Sequence, residues 1–137
     1  MGFLGTERGR RARGFTLIEL VVVLAILGIL LALAVPRYLG VRKRAFKEEI
    51  VNILTETKTL SWAFYNEQGV FPSAIGDIAL QMPGGTVWTT PALTGGGGSN
   101  AFIEWTASGN GTGAVVAADM CSVTLSIDGD VGQGCTF

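Results

Sequence analysis

The chain has 137 residues and a formal net charge of −1, with 20 glycines, two cysteines and no histidine. Without histidine, the commonest general base and metal ligand is absent, and so are the Ser–His and Cys–His catalytic arrangements. The mean hydropathy of +0.44 is raised by one apolar stretch near the N-terminus. Outside that stretch, the length suffices for one small domain with a modest core.

The apolar stretch runs from Phe15 to Val35, 21 residues, and follows an arginine-rich leader. A helix rising about 1.5 Å per residue crosses a bilayer in about 20 residues. A helix also satisfies its own backbone hydrogen bonds in lipid. The stretch therefore predicts a membrane-spanning helix.

Glu19 is the one charged residue inside this span. A lone carboxylate in hydrocarbon costs about 2–3 kcal/mol or more, so it marks a candidate functional site. Its only evident partner would be a cation close to the start of the helix, within about one helical turn of Glu19. The alternative is that Glu19 only marks a helix start, where acids suit the helix dipole.

Residues 13–36, in which Gly14-Phe15 precedes an apolar run carrying Glu19, resemble the N-terminus of type IV pilins and of type II secretion pseudopilins. The resemblance implies that a prepilin peptidase cuts after Gly14 and methylates Phe15. It also implies that mature subunits polymerise through their N-terminal helices. Glu19 would then meet the N-terminal amine of a neighbouring subunit and help to set the register.

Other N-terminal signals compete with this interpretation. Residues 1–6 fit the N-myristoylation pattern, Arg10-Arg11 is a fragment of a twin-arginine signal, and residues 32–34 form an A-x-A sequence. The span makes a lipid anchor superfluous, and it is too long for the apolar region of a typical signal peptide. We rank ordinary signal-peptidase cleavage second and an uncleaved transmembrane anchor third.

Pro36 follows the span directly, and Gly28 lies within it. Proline inside a helix removes one hydrogen bond and costs about 3 kcal/mol. We therefore expect a kink or local melting near residues 32–36. By the resemblance, Gly28 and Pro36 bound the segment that unwinds in assembled filaments.

Helical periodicity returns after Pro36, where a mostly apolar stripe recurs every three or four residues. Its members are Ile50, Ile53, Leu54, Thr57, Leu60, Ser61 and Phe64. This amphipathic half is expected to pack under a sheet and to end near residues 66–69. Trp62 and Tyr65 lie off the stripe and are expected to cover a second edge of the core.

Short strands are predicted at 86–89, 101–106, 113–119 and 122–127, with a turn at 108–111. The glycines at 95–98 are interpreted as a flexible connector. The predicted fold is α+β, with one long N-terminal helix packed on a small antiparallel sheet. Its parts are a cleaved leader (1–14), a transmembrane or filament-core helix (15–36), an amphipathic half-helix (37–68) and a globular head (69–137).

Lysine and arginine counts on the two sides of the span are four and five, so the positive-inside rule does not fix the orientation. Cys121 and Cys135 form an isolated pair near the C-terminus. In an extracytoplasmic domain this pair predicts a disulfide worth about 3 kcal/mol, and the alternative is two free cytosolic thiols. A disulfide places the head outside the cytoplasm and the leader inside.

No metal or cofactor is expected. Asp119, Asp128 and Asp130 offer oxygen ligands of the kind calcium prefers, and some major pseudopilins bind calcium in C-terminal loops. However, the spacing of an EF-hand loop is missing, and Asp128-Gly129-Asp130 equally fits a plain turn.

After Lys58 there are six acidic residues and no lysine or arginine. Direct binding of nucleic acid by the head is disfavoured, because phosphate contacts need cations. The basic residues at 37–47 can meet acidic groups of neighbouring subunits or lipid headgroups.

The predicted function is structural and not enzymatic: a type IV pilus subunit serving motility, adhesion or DNA uptake. The expected partners are copies of itself, the prepilin peptidase, the pilus assembly machinery and the inner membrane, which holds the precursor before export to the cell surface. A close alternative is a pseudopilin of type II secretion. An alternative of another class is a membrane-anchored or secreted binding module.

Overall fold

The computed structural model describes residues 14–112 and 115–136. One α-helix, α1, spans Leu17–Gln68, and a short 3-10 helix spans Ile75–Asp77. Four strands follow: β1 Ala92–Gly96, β2 Phe102–Ser108, β3 Met120–Ser126 and β4 Val131–Thr136. The predicted α+β fold is confirmed.

The chain divides after Tyr38 into two units. The first consists, in its described part, of residues 14–16 and the N-terminal part of α1. Its side chains are exposed throughout. The described residues of this unit therefore form no hydrophobic core of their own.

Pro36 lies inside α1, which is assigned as helix across residues 32–36. The expected local melting of this stretch is therefore wrong for the isolated chain. The leucines, alanines and valine around the proline favour helix or tolerate it, and they keep their backbone helical despite the one missing N–H donor. Unwinding in an assembled filament stays a prediction.

The second unit begins at Leu39 and contains the amphipathic part of α1 and the sheet. The buried positions on α1 are Ile50, Ile53, Leu54, Thr57 and Ser61, and Leu60 and Phe64 are half-buried. The predicted apolar stripe is thus the face that packs into the core. Buried Thr57 and Ser61 each donate a hydroxyl hydrogen bond of 2.8 Å to the carbonyl oxygen four residues earlier, so their burial leaves no unpaired group.

The helix ends where the sequence predicts. Gly69 has a φ of 72° and donates its backbone N–H to the Tyr65 carbonyl oxygen at 2.8 Å. A glycine in this left-handed conformation, just after the last helical residue, is a common helix terminator because it has no Cβ to clash.

The sheet is an antiparallel meander with strand order β1-β2-β3-β4. Buried and half-buried residues alternate along β2 and β3, as expected for strands with one face on a core. The inward side chains of these two strands are Ile103, Trp105, Ala107, Cys121, Val123 and Leu125. Phe71 and Trp88, from the segment between α1 and β1, complete the core.

Two buried tryptophans tie this core to the helix. The indole N–H of Trp105 donates to Ser61 Oγ at 2.9 Å, and that of Trp88 donates to the Phe46 carbonyl oxygen at 2.9 Å. A buried indole needs such a partner, because an unsatisfied N–H costs about 1–3 kcal/mol. The two bonds fix where the sheet meets the amphipathic half of α1.

The strand predictions were right for β2 and β3, which lie within two residues of the expected ranges. The predicted strand at 86–89 is only a single bridge, between Trp88 and Gly109. The predicted strand at 113–119 is wrong over its described residues 115–119: Asp119 accepts the Val116 N–H with a side-chain oxygen and closes a turn. Residues 113 and 114 lie outside the described part of the chain.

The glycine run at 95–98 is not a flexible connector, which corrects the prediction. Gly95 and Gly96 belong to β1, and Gly96 to Gly98 have φ values of 67°, 82° and 59°. A Cβ added at Gly96 would lie 2.0 Å from the Phe102 carbonyl oxygen. Glycine is required here by a left-handed backbone and a close approach to β2.

Candidate functional site

The start of α1 carries a capping arrangement between Thr16 and Glu19. Thr16 precedes the first helical residue, and it donates to Glu19 Oε2 from its backbone N–H at 2.9 Å and from its hydroxyl at 2.7 Å. In return, the Glu19 N–H donates to Thr16 Oγ1 at 3.3 Å. This reciprocal pairing is a capping box, which satisfies N–H groups that a helix start otherwise leaves unpaired.

Both side-chain bonds of Glu19 end on Oε2, and Oε1 accepts no hydrogen bond from the described residues. The carboxylate is therefore held by its own chain at one oxygen and open at the other. A helix start adds a favourable positive dipole at this point. Glu19 thus caps the start of the helix in the structure, as one of the two interpretations predicted. Its open oxygen can still accept an additional cation.

Gly14 and Phe15, the predicted processing residues, lie before the helix without regular secondary structure. Phe15 is 85% exposed. The bond between them lies outside α1, so its cleavage does not require unwinding of the helix. The rest of the predicted leader, residues 1–13, lies outside the described residues.

The apolar surface of α1 continues from this start. Every large apolar side chain between Phe15 and Val35 is exposed, from 48% at Leu27 to 85% at Phe15. Water-soluble monomers rarely expose a continuous apolar surface of this extent. In the lone chain this surface has no cover, so it needs lipid or another protein.

By length and composition, α1 is the one helix in the described chain that is apolar enough to cross a membrane. Its most apolar 18-residue window has a mean hydropathy of 3.0 and is 0% buried. A core helix of a globular protein can pass the same test of length, but it would be mostly buried. Full exposure of this window sets it apart from a core helix.

Gly28 and Pro36 are the other residues predicted to act in assembly. A Cβ added at Gly28 meets nothing within 4 Å. Glycine is therefore not required there by any contact within the described chain, and Pro36 is accommodated within α1. Their roles in a filament stay predictions.

A disulfide joins Cys121 on β3 to Cys135 on β4, with their Cα atoms 4.1 Å apart. The two residues are directly opposite in the register of the two strands. The bond closes the loop that includes the β3–β4 turn, and it ties down the edge strand β4, whose other side chains are exposed.

The three candidate calcium ligands are not gathered into a site. Asp119 caps the turn at Val116, whereas Asp128 and Asp130 lie in the β3–β4 turn around Gly129, whose φ is 86°. Among residues 14–112 and 115–136, no group of three acidic or cysteine side chains is placed to hold a metal ion.

Comparison with known proteins adds an independent observation. The model of the prokaryotic N-terminal methylation motif matches residues 9–35. Fimbrial protein EcpC of Eikenella corrodens is 35% identical over 124 residues, which cover 89% of this chain and 77% of the relative. The chain belongs to the type IV pilin family. The resemblance found at residues 13–36 is confirmed, and this pilin is a structural subunit of a type IV pilus.

Two further relatives show how the similarity is distributed. The type IV narrow pilus major component PilA5 of Thermus thermophilus is 30% identical over 119 residues, 87% of this pilin and 90% of the relative. The type II secretion system core protein G of Dickeya chrysanthemi is 49% identical, but over 43 residues, 31% of this pilin and 28% of the relative. Similarity across the head is thus seen with pilus proteins.

Sequence reasoning missed Thr16. The signal was present, because Thr16-Leu17-Ile18-Glu19 has the S/T-x-x-E spacing of a capping box directly before an apolar run. The tryptophan bonds to the helix were also missed, and pattern alone does not reveal them, since their partners are 42 and 44 residues away.

Proposed function

We propose that this pilin polymerises with copies of itself through the exposed apolar half of α1. A prepilin peptidase first cuts between Gly14 and Phe15 and methylates the new amine of Phe15. The observation that carries the proposal is the start of α1, where Glu19 presents one open carboxylate oxygen beside an uncovered apolar surface.

The capping box explains how the precursor tolerates Glu19 before assembly. Two hydrogen bonds from Thr16 reduce the cost of placing the carboxylate near lipid, because hydrogen-bonded polar groups cost less to desolvate. Cleavage leaves the Thr16 N–H and hydroxyl intact, so the capping box persists in the mature subunit. A neighbour's N-terminal amine then pairs with the open oxygen and gives the helices a defined register.

We also propose where each stage takes place. The precursor is held in the inner membrane by α1, with the leader in the cytoplasm and the head outside, and the assembled filament is extracellular. The Cys121–Cys135 bond supports this orientation, since structural disulfides persist in oxidising compartments. The assembly machinery draws the subunit from the membrane into the filament, where the apolar surfaces of neighbouring helices replace lipid.

The pseudopilin alternative rests on shorter matches, such as the 43-residue match to core protein G. The relatives that extend across the head are named for fimbriae or pili. We therefore place this chain in a pilus used for motility, adhesion or DNA uptake, and not in a secretion machine or in a free binding module.

Glu19→Gln tests the proposal in cells that process and assemble this chain. Glutamine still completes a capping box, so the change removes the charge and keeps the helix start. We expect normal cleavage after Gly14, a membrane-resident subunit and at least about ten-fold fewer filaments, because a charge-assisted contact is lost. The measurements are intact mass of the subunit, membrane fractionation and the yield of sheared filaments.

Two variants complete the experiment. Thr16→Val removes the capping hydroxyl and keeps the Glu19 charge, so filaments are expected to persist at reduced yield. Glu48→Gln makes the same chemical change at an exposed residue outside the span, and it serves as the matched control. If Glu19→Gln filaments are as abundant as those of Glu48→Gln, the paired charge has no role in assembly.

A further inference from the structure

The second unit carries an acidic groove between α1 and the 3-10 helix. Leu60, Phe64 and Ile78 line its apolar floor, and the carboxylates of Glu67 and Asp77 line its edge. Its volume is about 250 Å³. An apolar floor ending in carboxylates suits a long cationic side chain, which lays its methylene stem on apolar surface and directs its charge to the acid.

Within the groove the two acids differ in their commitments. Asp77 Oδ2 already accepts the backbone N–H groups of Ser73 and Ala74, at 2.8 and 2.9 Å. Glu67 is exposed and accepts no hydrogen bond from the described residues. The chain contains no lysine or arginine after Lys58. Lys58 itself lines a different pocket, with Trp62 and Val131. Glu67 therefore has both carboxylate oxygens open to a new partner, and Asp77 has one.

A matching basic patch, Arg44 and Lys47, lies on the same helix. Both side chains are exposed, and their spacing of three residues puts them on one face. Lys47 and Glu67 are 20 residues apart in the sequence. At the rise of an α-helix this corresponds to a separation of about 30 Å along the helix axis. That separation is several times the screening length of about 8 Å in physiological salt. The patch and the groove of one chain therefore cannot meet.

The two surfaces also point in different directions. Twenty residues at 3.6 per turn rotate a side chain by roughly 200°, so the patch and the groove lie on opposite sides of the helix. A two-fold dimer, which uses one shared face, cannot satisfy both at once. A head-to-tail contact can, because each copy offers its groove to one neighbour and its patch to another. Because such a contact also shifts each copy along the helix axis, it propagates and does not close into a ring.

We infer that the groove at Glu67 and Asp77 binds the Arg44–Lys47 patch of a second copy, displaced along the helix axis by about 30 Å. The inference rests on the proposed polymerisation, in which the helices run parallel. It adds a polar contact at the level of the head to the apolar contact between the membrane-spanning halves. The contact joins non-successive copies, because the proposed pair between direct neighbours joins residues 15 and 19, which are only about 6 Å apart at the rise of a helix.

Charge reversal in the full-length chain tests the inference. Glu67→Lys is tolerated by the fold, because residue 67 is exposed and cations are favoured in the last helical turn. We expect normal processing and membrane levels, with at least about ten-fold fewer sheared filaments, as for a lost charge-assisted contact. The matched control is Asp128→Lys, which makes the same change of charge at an exposed turn residue outside the groove.

A charge swap within one chain supplies the decisive variants. Glu67→Lys combined with Lys47→Glu or with Arg44→Glu restores one pair of opposite charges, at residue 67, in each contact between copies. We expect at least one of these pairs to recover most of the filament yield. Failure of both pairs to recover it, or a Glu67→Lys yield equal to that of Asp128→Lys, would overturn the inference.

Zero-length carbodiimide cross-linking of wild-type filaments gives a second readout. A Lys47–Glu67 or Lys47–Asp77 linked peptide supports the contact, and for Glu67 the separation along one helix makes the link intermolecular. Recovery of neither linked peptide from filaments that carry other Lys–carboxylate links counts against it. Absence of any wild-type filament refutes the proposed function itself, whereas equal filaments from all variants refute only this contact.

Discussion

The two units of this pilin use one continuous helix in opposite ways. From Leu39 onward, α1 buries a stripe of side chains under a sheet, and Ile50 and Leu54 are 0% exposed. Before that point, no described side chain of the helix is buried. The apolar face of the C-terminal half is covered by the sheet of the same chain, whereas the N-terminal half is covered by no described residue.

The difference follows from how apolar residues are distributed around the helix. A stripe with polar residues on the other faces can be covered by one sheet. A helix that is apolar on all sides needs cover all round, which lipid or a bundle of identical helices provides. The first unit is therefore incomplete as a single copy. Glu19, the one charged residue within the apolar span 15–35, lies where assembly has to be made specific.

Truncation before Leu39 tests whether the second unit folds and stays soluble without the first. A chain that begins at Leu39 is expected to be soluble without detergent and monomeric, whereas the mature chain from Phe15 needs detergent or forms filaments. The physical reason is that the core of the second unit lies entirely after residue 38. Size-exclusion chromatography and near-ultraviolet circular dichroism of the tryptophans measure this. A truncated chain that is unfolded or aggregated would show that the head depends on the first unit.

The sequence predicted the helix well, since helical periodicity reports contacts between residues three or four apart. The stripe from Ile50 to Ser61 was predicted from this periodicity, and the end of the helix before Gly69 from the glycine itself. The charge of Glu19 and the apolar span are read directly from the sequence. These features depend on local chemistry, which a single sequence contains.

The sheet was predicted only in part, because its edge strands owe their structure to distant residues. β1 and β4 contain two glycines each, and glycine disfavours strands when taken alone. Their backbones are held by pairing with β2 and β3, and β4 also by the disulfide. The groove at Glu67 was not predicted either, because its lining brings together residues of α1 and of the 3-10 helix that are distant in the sequence.

Removal of the disulfide tests how far the second unit depends on the covalent link between β3 and β4. The double variant Cys121→Ser, Cys135→Ser is expected to lower the free energy of unfolding of the 39–137 chain by about 3 kcal/mol, by the loop-entropy estimate for a closed loop of this length. Urea unfolding with and without reductant measures the change. Non-reducing peptide mapping of intact filaments should find the linked peptide. Free thiols there would remove the disulfide argument for an extracytoplasmic head.

Substitution of Ser61 tests whether specific polar contacts, as well as apolar burial, fix the helix to the sheet. Ser61→Ala removes the oxygen that accepts the buried Trp105 indole N–H at 2.9 Å. An unsatisfied indole donor in a closed core is expected to cost about 1–2 kcal/mol in the free energy of unfolding of the 39–137 chain. The control is Thr59→Ala, since Thr59 is exposed and its hydroxyl bonds only the Thr55 carbonyl oxygen four residues earlier. Urea unfolding followed by tryptophan fluorescence compares the two. If the environment of Trp105 depends on this bond, a shift in the tryptophan emission of Ser61→Ala accompanies its loss of stability. Equal stability of the two variants would mean that apolar packing alone positions the sheet on α1.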